Sequence, residues 1–118
     1  MRNFRTYKVW QHGIDLVTKV YQLTAQMPKS ETYSLSKQMQ RATVSVPSNV
    51  AEGCGRDSQK EFKRYVEMAL ASAFELETQM IIADNLYQLK QNALYDETYS
   101  LLSKVQAELN SLRNRLKK

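Results

Sequence analysis

The chain is short of the residues that break or staple a fold: its 118 residues include three glycines, two prolines and one cysteine, Cys54. So few turn formers argue against an all-β fold, and a hydrophobic fraction of 42% argues equally against disorder. With a single cysteine no intrachain disulfide can form, and nothing points to an oxidising compartment, so a cytoplasmic protein is expected. No window approaches the roughly 20 apolar residues of a membrane span. The opening MRNFRTYKVW is positively charged but lacks the apolar core of a secretory signal. The length suits one domain with one core, covering residues 1–118.

What is present is basic. Seventeen Lys and Arg against twelve Asp and Glu give a net charge of +5 and a pI near 9.4, a balance that favours contact with nucleic acid or another acidic surface. The apolar residues recur at the three-and-four spacing of helices. Val9, Trp10, Gly13, Leu16, Val17, Val20, Leu23, Thr24 and Met27 predict a first helix over about 7–26, capped by Thr6 and ended by Pro28. Leu35, Met39, Ala42, Val46 and Val50 predict a second over about 34–52. Ser58 and Glu61 form a capping box ahead of a third, about 58–89, striped by Phe62, Val66, Ala69, Ala73, Leu76, Met80 and Ala83. A fourth, about 96–115 with Asp96 as its cap, carries Leu102, Val105, Leu109, Leu112 and Leu116 in a coiled-coil-like seam. Four amphipathic helices with short links predict an all-α protein, an antiparallel up-down-up-down four-helix bundle.

The most informative stretch is RATVSVPSNVAEGCGR, Arg41 to Arg56. Within it Pro47 removes one backbone donor and crowds the carbonyl four residues back, a cost of about 3 kcal/mol, so a kink is expected in helix two near Pro47. A break into two shorter helices is the alternative. Gly53 is expected to cap the helix end. Gly13, in mid-helix at a cost of about 1 kcal/mol relative to alanine, is expected to let another backbone come close.

Several side-chain sets invite a chemical reading. On a helical wheel Gln38, Arg41, Ser45, Asn49 and Glu52 form a polar edge of helix two, and Glu61, Ser72, Glu75 and Gln79 one of helix three. Face to face they would form a register-setting network in which Arg41 pairs with Glu75 or Glu52 and Ser45, Asn49 and Ser72 complete the bonding. A ligand or RNA-contacting site is the competing reading. His12 is the only histidine and has no Glu-x-x-His partner, so no metal site and no cofactor are expected. Cys54 lies among glycines with no base nearby in sequence and reads as a small turn residue. No nucleophile, base and orienter can be assembled, so no enzymatic activity is expected.

The basic residues fall in three groups: Arg2, Arg5 and Lys8; Arg56, Lys60, Lys63 and Arg64; and Arg113, Arg115, Lys117 and Lys118. If helix four ends near the start of helix three, the last two groups merge into one positive patch, the candidate nucleic-acid surface. Tyr7, Tyr65 and Tyr95 would offer stacking faces, although core-edge packing explains them more simply.

Four segments, YKVW (7–10), QMQRATVSVPSNVAEG (38–53), RDSQKEF (56–62) and ASAFELE (71–77), resemble the four-helix-bundle protein family encoded in intervening sequences of bacterial 23S ribosomal RNA genes. The resemblance implies a small bacterial cytoplasmic bundle with relatives that form ring-like homopentamers. The accessory variability proteins of diversity-generating retroelements look like distant members, and those partner a reverse transcriptase and nucleic acid. Two readings of function follow. One is a non-enzymatic homo-oligomer binding RNA or another nucleic acid through its basic surface. The other is a structural protein–protein interaction module or accessory subunit, with apolar residues such as Tyr21, Ile81 and Ile82 left outside the bundle.

Overall fold

The helical periodicity becomes four α-helices in the computed structural model, which describes residues 2–116. They are α1 (Lys8–Thr24), α2 (Leu35–Cys54), α3 (Gln59–Tyr87) and α4 (Ala93–Arg115). Short 3-10 turns, Phe4–Thr6, Lys29–Glu31 and Leu89–Gln91, precede α1, α2 and α4, and no strand occurs among the described residues.

The apolar stripes meet in one core. Every residue of the α3 stripe, Phe62 to Ala83, is buried, as are Leu16, Val20 and Leu23 of α1, Met39, Val46 and Val50 of α2, and Leu102, Val105 and Leu109 of α4. Each large side chain removed from water in this way contributes about 1.5–3 kcal/mol. Trp10, Leu35 and Leu116 are half-buried against the edge of that core.

The pairings across the core fix the direction of each helix. Gln40 bonds Thr24 while Pro47 lies against Gly13. Ser72 bonds Ser45 while Phe62 and Tyr65 lie against Gly53. Tyr95 bonds the Met80 carbonyl while Gln106 reaches Glu77. Glu108 meets His12 while Glu97 meets Lys19. Numbers rise along one helix as they fall along its neighbour, so each adjacent pair, including α4 with α1, runs antiparallel. The starts of α1 and α3 and the ends of α2 and α4 therefore share one end of a rod 43 Å long.

The unusual residues of α2 have neighbours that explain them. The helix runs unbroken through Pro47, which is buried, and the ring lies against Gly13, where an added Cβ would sit 3.3 Å from Pro47 Cβ and 3.7 Å from its Cα. The two residues least suited to a helix interior thus make one close helix–helix contact.

Gly53 does not cap α2. It lies inside the helix, which ends at Cys54 with Gly55 as its cap in ordinary right-handed backbone. A Cβ on Gly53 would fall 2.7 Å from Tyr65 Cβ and 2.9 Å from Phe62 Cδ1, so this glycine admits the first turns of α3. Cys54 is buried in the core rather than placed in a turn, and burial pushes its thiol above its ordinary range.

Two further caps differ from expectation. Thr6 ends the first 3-10 turn, whose cap is Asn3, and α1 starts after Tyr7. Asn92, not Asp96, caps α4, accepting the Leu94 N–H at 2.8 Å. Ser58 caps α3 as its sequence motif predicts, accepting the Glu61 N–H at 3.1 Å. The C-terminal end of α3 is closed by Gln88 in the left-handed region (φ 56°, ψ 46°), with no glycine there to relieve the strain.

Candidate nucleic-acid interface

The basic groups converge at one end because antiparallel packing brings four helix termini together. Arg2, Arg5 and Lys8 sit where α1 starts; Arg56 follows the end of α2; Lys60, Lys63 and Arg64 lie in the first turns of α3; Arg113 and Arg115 lie in the last turn of α4. Lys117 and Lys118, assigned to the same patch from sequence, lie outside the described residues.

Arg2 joins these elements. Its guanidinium donates to the Arg56 carbonyl at 2.7 Å and lies 4.5 Å from the centre of the Phe62 ring. A cation is thereby held at the carbonyl end of α2, where the helix dipole favours it, and over an aromatic face. Arg2 also lines two adjoining depressions, one with Gly55, Arg56 and Asp57 and one bordered by Lys8, Lys104 and Arg115. The merging of patches foreseen between α3 and α4 thus runs through the N-terminal segment. Lys104 was absent from the sequence-based set because a lone lysine on an exposed helix face carries no signal of its own.

The cations at this end keep their charge available. Arg56 lies over the Tyr65 ring and donates to its hydroxyl, Arg113 donates to Asn110 and Arg115 to Ser111. These partners are all neutral. The three ion pairs among the described residues are His12–Glu108, Lys19–Glu97 and Lys90–Asp84, and none uses a cation of the basic groups. Lys60, Lys63 and Arg64 share a groove with Glu61 and Glu67, which offset part of their field. Tyr7 and Tyr65 are half-buried near this end. Tyr95 is buried in the core, 1% exposed, with its hydroxyl on the Met80 carbonyl, so it offers no stacking face. Burial pushes that phenol up to about 12.

The polar edges of α2 and α3 do meet, and half of the expected network forms. The Asn49 amide donates to Ser45 Oγ and to the Ser45 carbonyl, both at 2.9 Å, and Ser72 Oγ bonds Ser45 Oγ at 2.9 Å. Arg41 and Glu75 line a cavity of about 260 Å³ with Gln38, Ser45 and Ser72, yet neither forms an ion pair. Both are exposed, where holding two long side chains in one geometry offsets the modest attraction. Glu52 is likewise exposed and outside the network. Gln79 is buried with its Oε1 unpartnered.

His12 and Glu108 form a local pair, Nδ1 lying 2.9 Å from each carboxylate oxygen. Among the described residues no group of three or more His, Cys, Asp or Glu is placed to hold a metal ion, and no helix is long and apolar enough to cross a membrane.

No curated protein matches this chain. The model of one family, described as 23S rRNA-intervening sequence protein, matches residues 5–111. That span takes in all but the last turn of α4 and most of the basic end, from Arg5 through Lys104 to the turn carrying Ser111, while Arg2, Arg113 and Arg115 lie outside it. The chain belongs to the family of 23S rRNA-intervening sequence proteins.

Proposed function

We propose that this protein is a non-enzymatic, homo-oligomeric bundle of the bacterial cytoplasm that binds RNA or another nucleic acid through its basic end. The observation that carries the reading is the gathering of Arg2, Lys8, Arg56, Lys60 and Arg115 at one end of the rod, none of them in an ion pair among the described residues. Cations left unpaired in this way release counterions when they meet phosphates, so affinity falls steeply as salt rises. An oligomer, a homopentamer on the family resemblance, multiplies the +5 charge of each copy. The test is binding of a structured RNA by the full chain from low to physiological salt, with the Arg56→Gln/Lys60→Gln/Lys63→Gln/Arg64→Gln variant beside it. The reading expects a steep salt slope that the variant lessens. No binding at low salt, or an unchanged slope, opposes it.

A second reading, a protein–protein interaction module or an accessory subunit such as that of a reverse transcriptase, draws support from apolar residues outside the core. Tyr21 is 46% exposed, Phe74 52%, Ile81 44% and Ile82 42%. Light scattering at micromolar concentration bears on it, since a monomer removes the main use for these faces. A coding position within a 23S rRNA gene favours the first reading; one beside a reverse transcriptase gene favours the second.

A further inference from the structure

The N-terminal segment packs on the bundle through Phe4 and Tyr7. Between it and the last turns of α4 is a cleft of about 720 Å³, within the roughly 300–1,000 Å³ range of sites that enclose an organic ligand. Its rim carries Arg2, Lys8, Lys104 and Arg115, with hydroxyls from Thr6 and Ser111, and its inner wall is apolar, made by Tyr7, Val9, Ala107 and Leu112. The one carboxylate there among the described residues, Glu108, is held by His12. Asn3 completes the lining as a neutral group, its side chain occupied by the Arg5 N–H.

Phosphates satisfy the rim and have no use for the wall. A duplex presents a protein chiefly with phosphates and sugars, its base faces being stacked inside. An unpaired nucleotide brings both parts together: a phosphate for the cations and a flat apolar base face for Tyr7 and the aliphatic wall. We infer that this cleft takes an unpaired nucleotide of an RNA strand, so that the basic end prefers single-stranded or looped RNA to continuous duplex; the inference rests on the RNA-binding reading above.

Ala107 and Ser111 are exposed positions on α4 inside the cleft, so filling it need not disturb the core or alter charge. The experiment compares wild type and Ala107→Trp for affinity toward a labelled single-stranded RNA and toward a duplex with the same number of phosphates, at low salt. Wild type is expected to favour the single strand, and Ala107→Trp to weaken that binding at least tenfold while leaving duplex affinity unchanged. Equal single-strand affinity in the two proteins, or a wild-type preference for duplex, overturns the inference and leaves the RNA reading standing. Failure of wild type to bind either RNA overturns both. Thermal melting checks the fold of the variant, and Ser111→Trp, on the same cleft one turn along, gives the same readout should Ala107→Trp melt early.

Discussion

The two ends of the bundle use charge in opposite ways. At the end formed by the α1–α2 and α3–α4 connections, two carboxylates are tied into the fold. Glu31 accepts from Ser34 Oγ at 2.6 Å, from the Leu35 N–H at 3.2 Å and from the Tyr87 hydroxyl, which pins the start of α2 to the end of α3. Asp84 accepts the Lys90 backbone N–H at 2.8 Å and pairs with the side-chain ammonium of the same residue. At the other end the cations rest on hydroxyls, an amide, carbonyls and aromatic faces, with no ion pair to an acid among the described residues. The rod is 43 Å long, several times the Debye length of about 8 Å at physiological salt, so the two surfaces act independently. One end employs its charge to hold connections in place; the other holds it ready for something outside the molecule.

Truncating the core near either end should have the largest effect on stability, because the ends differ only at their surfaces. Phe62→Ala near the basic end and Tyr95→Ala near the far end should each lose about 3–5 kcal/mol in urea melts followed by circular dichroism. A loss below about 1 kcal/mol at one site alone would break the picture of a shared core. Gly53→Ala should follow at about 1–3 kcal/mol, since the new methyl meets Tyr65 Cβ and Phe62. A Gly53→Ala melt unchanged from wild type would contradict the close approach of α3 to this glycine.

pH sharpens the comparison next. Hydrogen bonds from Ser34 and Tyr87 hold Glu31 below its ordinary 4.5, and those from Tyr99 and Gln106 do the same for Glu77. A depressed carboxyl stabilises the fold fully above its unfolded value and loses that contribution as pH falls through the folded one. The melting temperature should therefore drop below about pH 4.5, and Glu31→Gln/Glu77→Gln should flatten the drop. Tyr95 has the opposite sign. Its phenol, raised by burial to about 12, stays neutral while an unfolded chain would ionise near 10. Its contribution is complete below pH 10 and disappears as pH rises from there towards 12. The smallest expected effect belongs to the basic end: Lys60→Gln/Lys63→Gln/Arg64→Gln should change stability by no more than about 0.5 kcal/mol per site, measured in the same melts.

What was legible in the sequence was whatever repeats along a helix. The stripe from Phe62 to Ala83 and the seam from Leu102 to Leu112 follow from spacing alone, and Ser58 announces its cap three residues before Glu61. What stayed hidden depends on partners far away in the chain. Gly13 and Pro47 looked like separate anomalies until the fold set one against the other. Arg2 reaches back to a carbonyl 54 residues downstream, a contact no local pattern encodes. Asn92 displaced Asp96 as the α4 cap because the Leu89–Gln91 turn delivers the chain to the helix a turn early. In the candidate site, the cationic residues were legible as types and groups. Their union through the N-terminal segment, and the cleft it creates, came only with the fold.

The most direct test of the division between the ends is the salt dependence of RNA affinity for three full-length proteins. These are wild type, the basic-end variant Arg56→Gln/Lys60→Gln/Lys63→Gln/Arg64→Gln, and a far-end variant that also removes four positive charges, Lys19→Gln/Lys29→Gln/Lys37→Gln/Lys90→Gln. The account predicts that the basic-end variant loses affinity and has a shallower slope of log affinity against log salt, by somewhat under one for each phosphate contact removed, while the far-end variant follows wild type. Equal losses in the two variants would show that only total charge matters and would contradict the account.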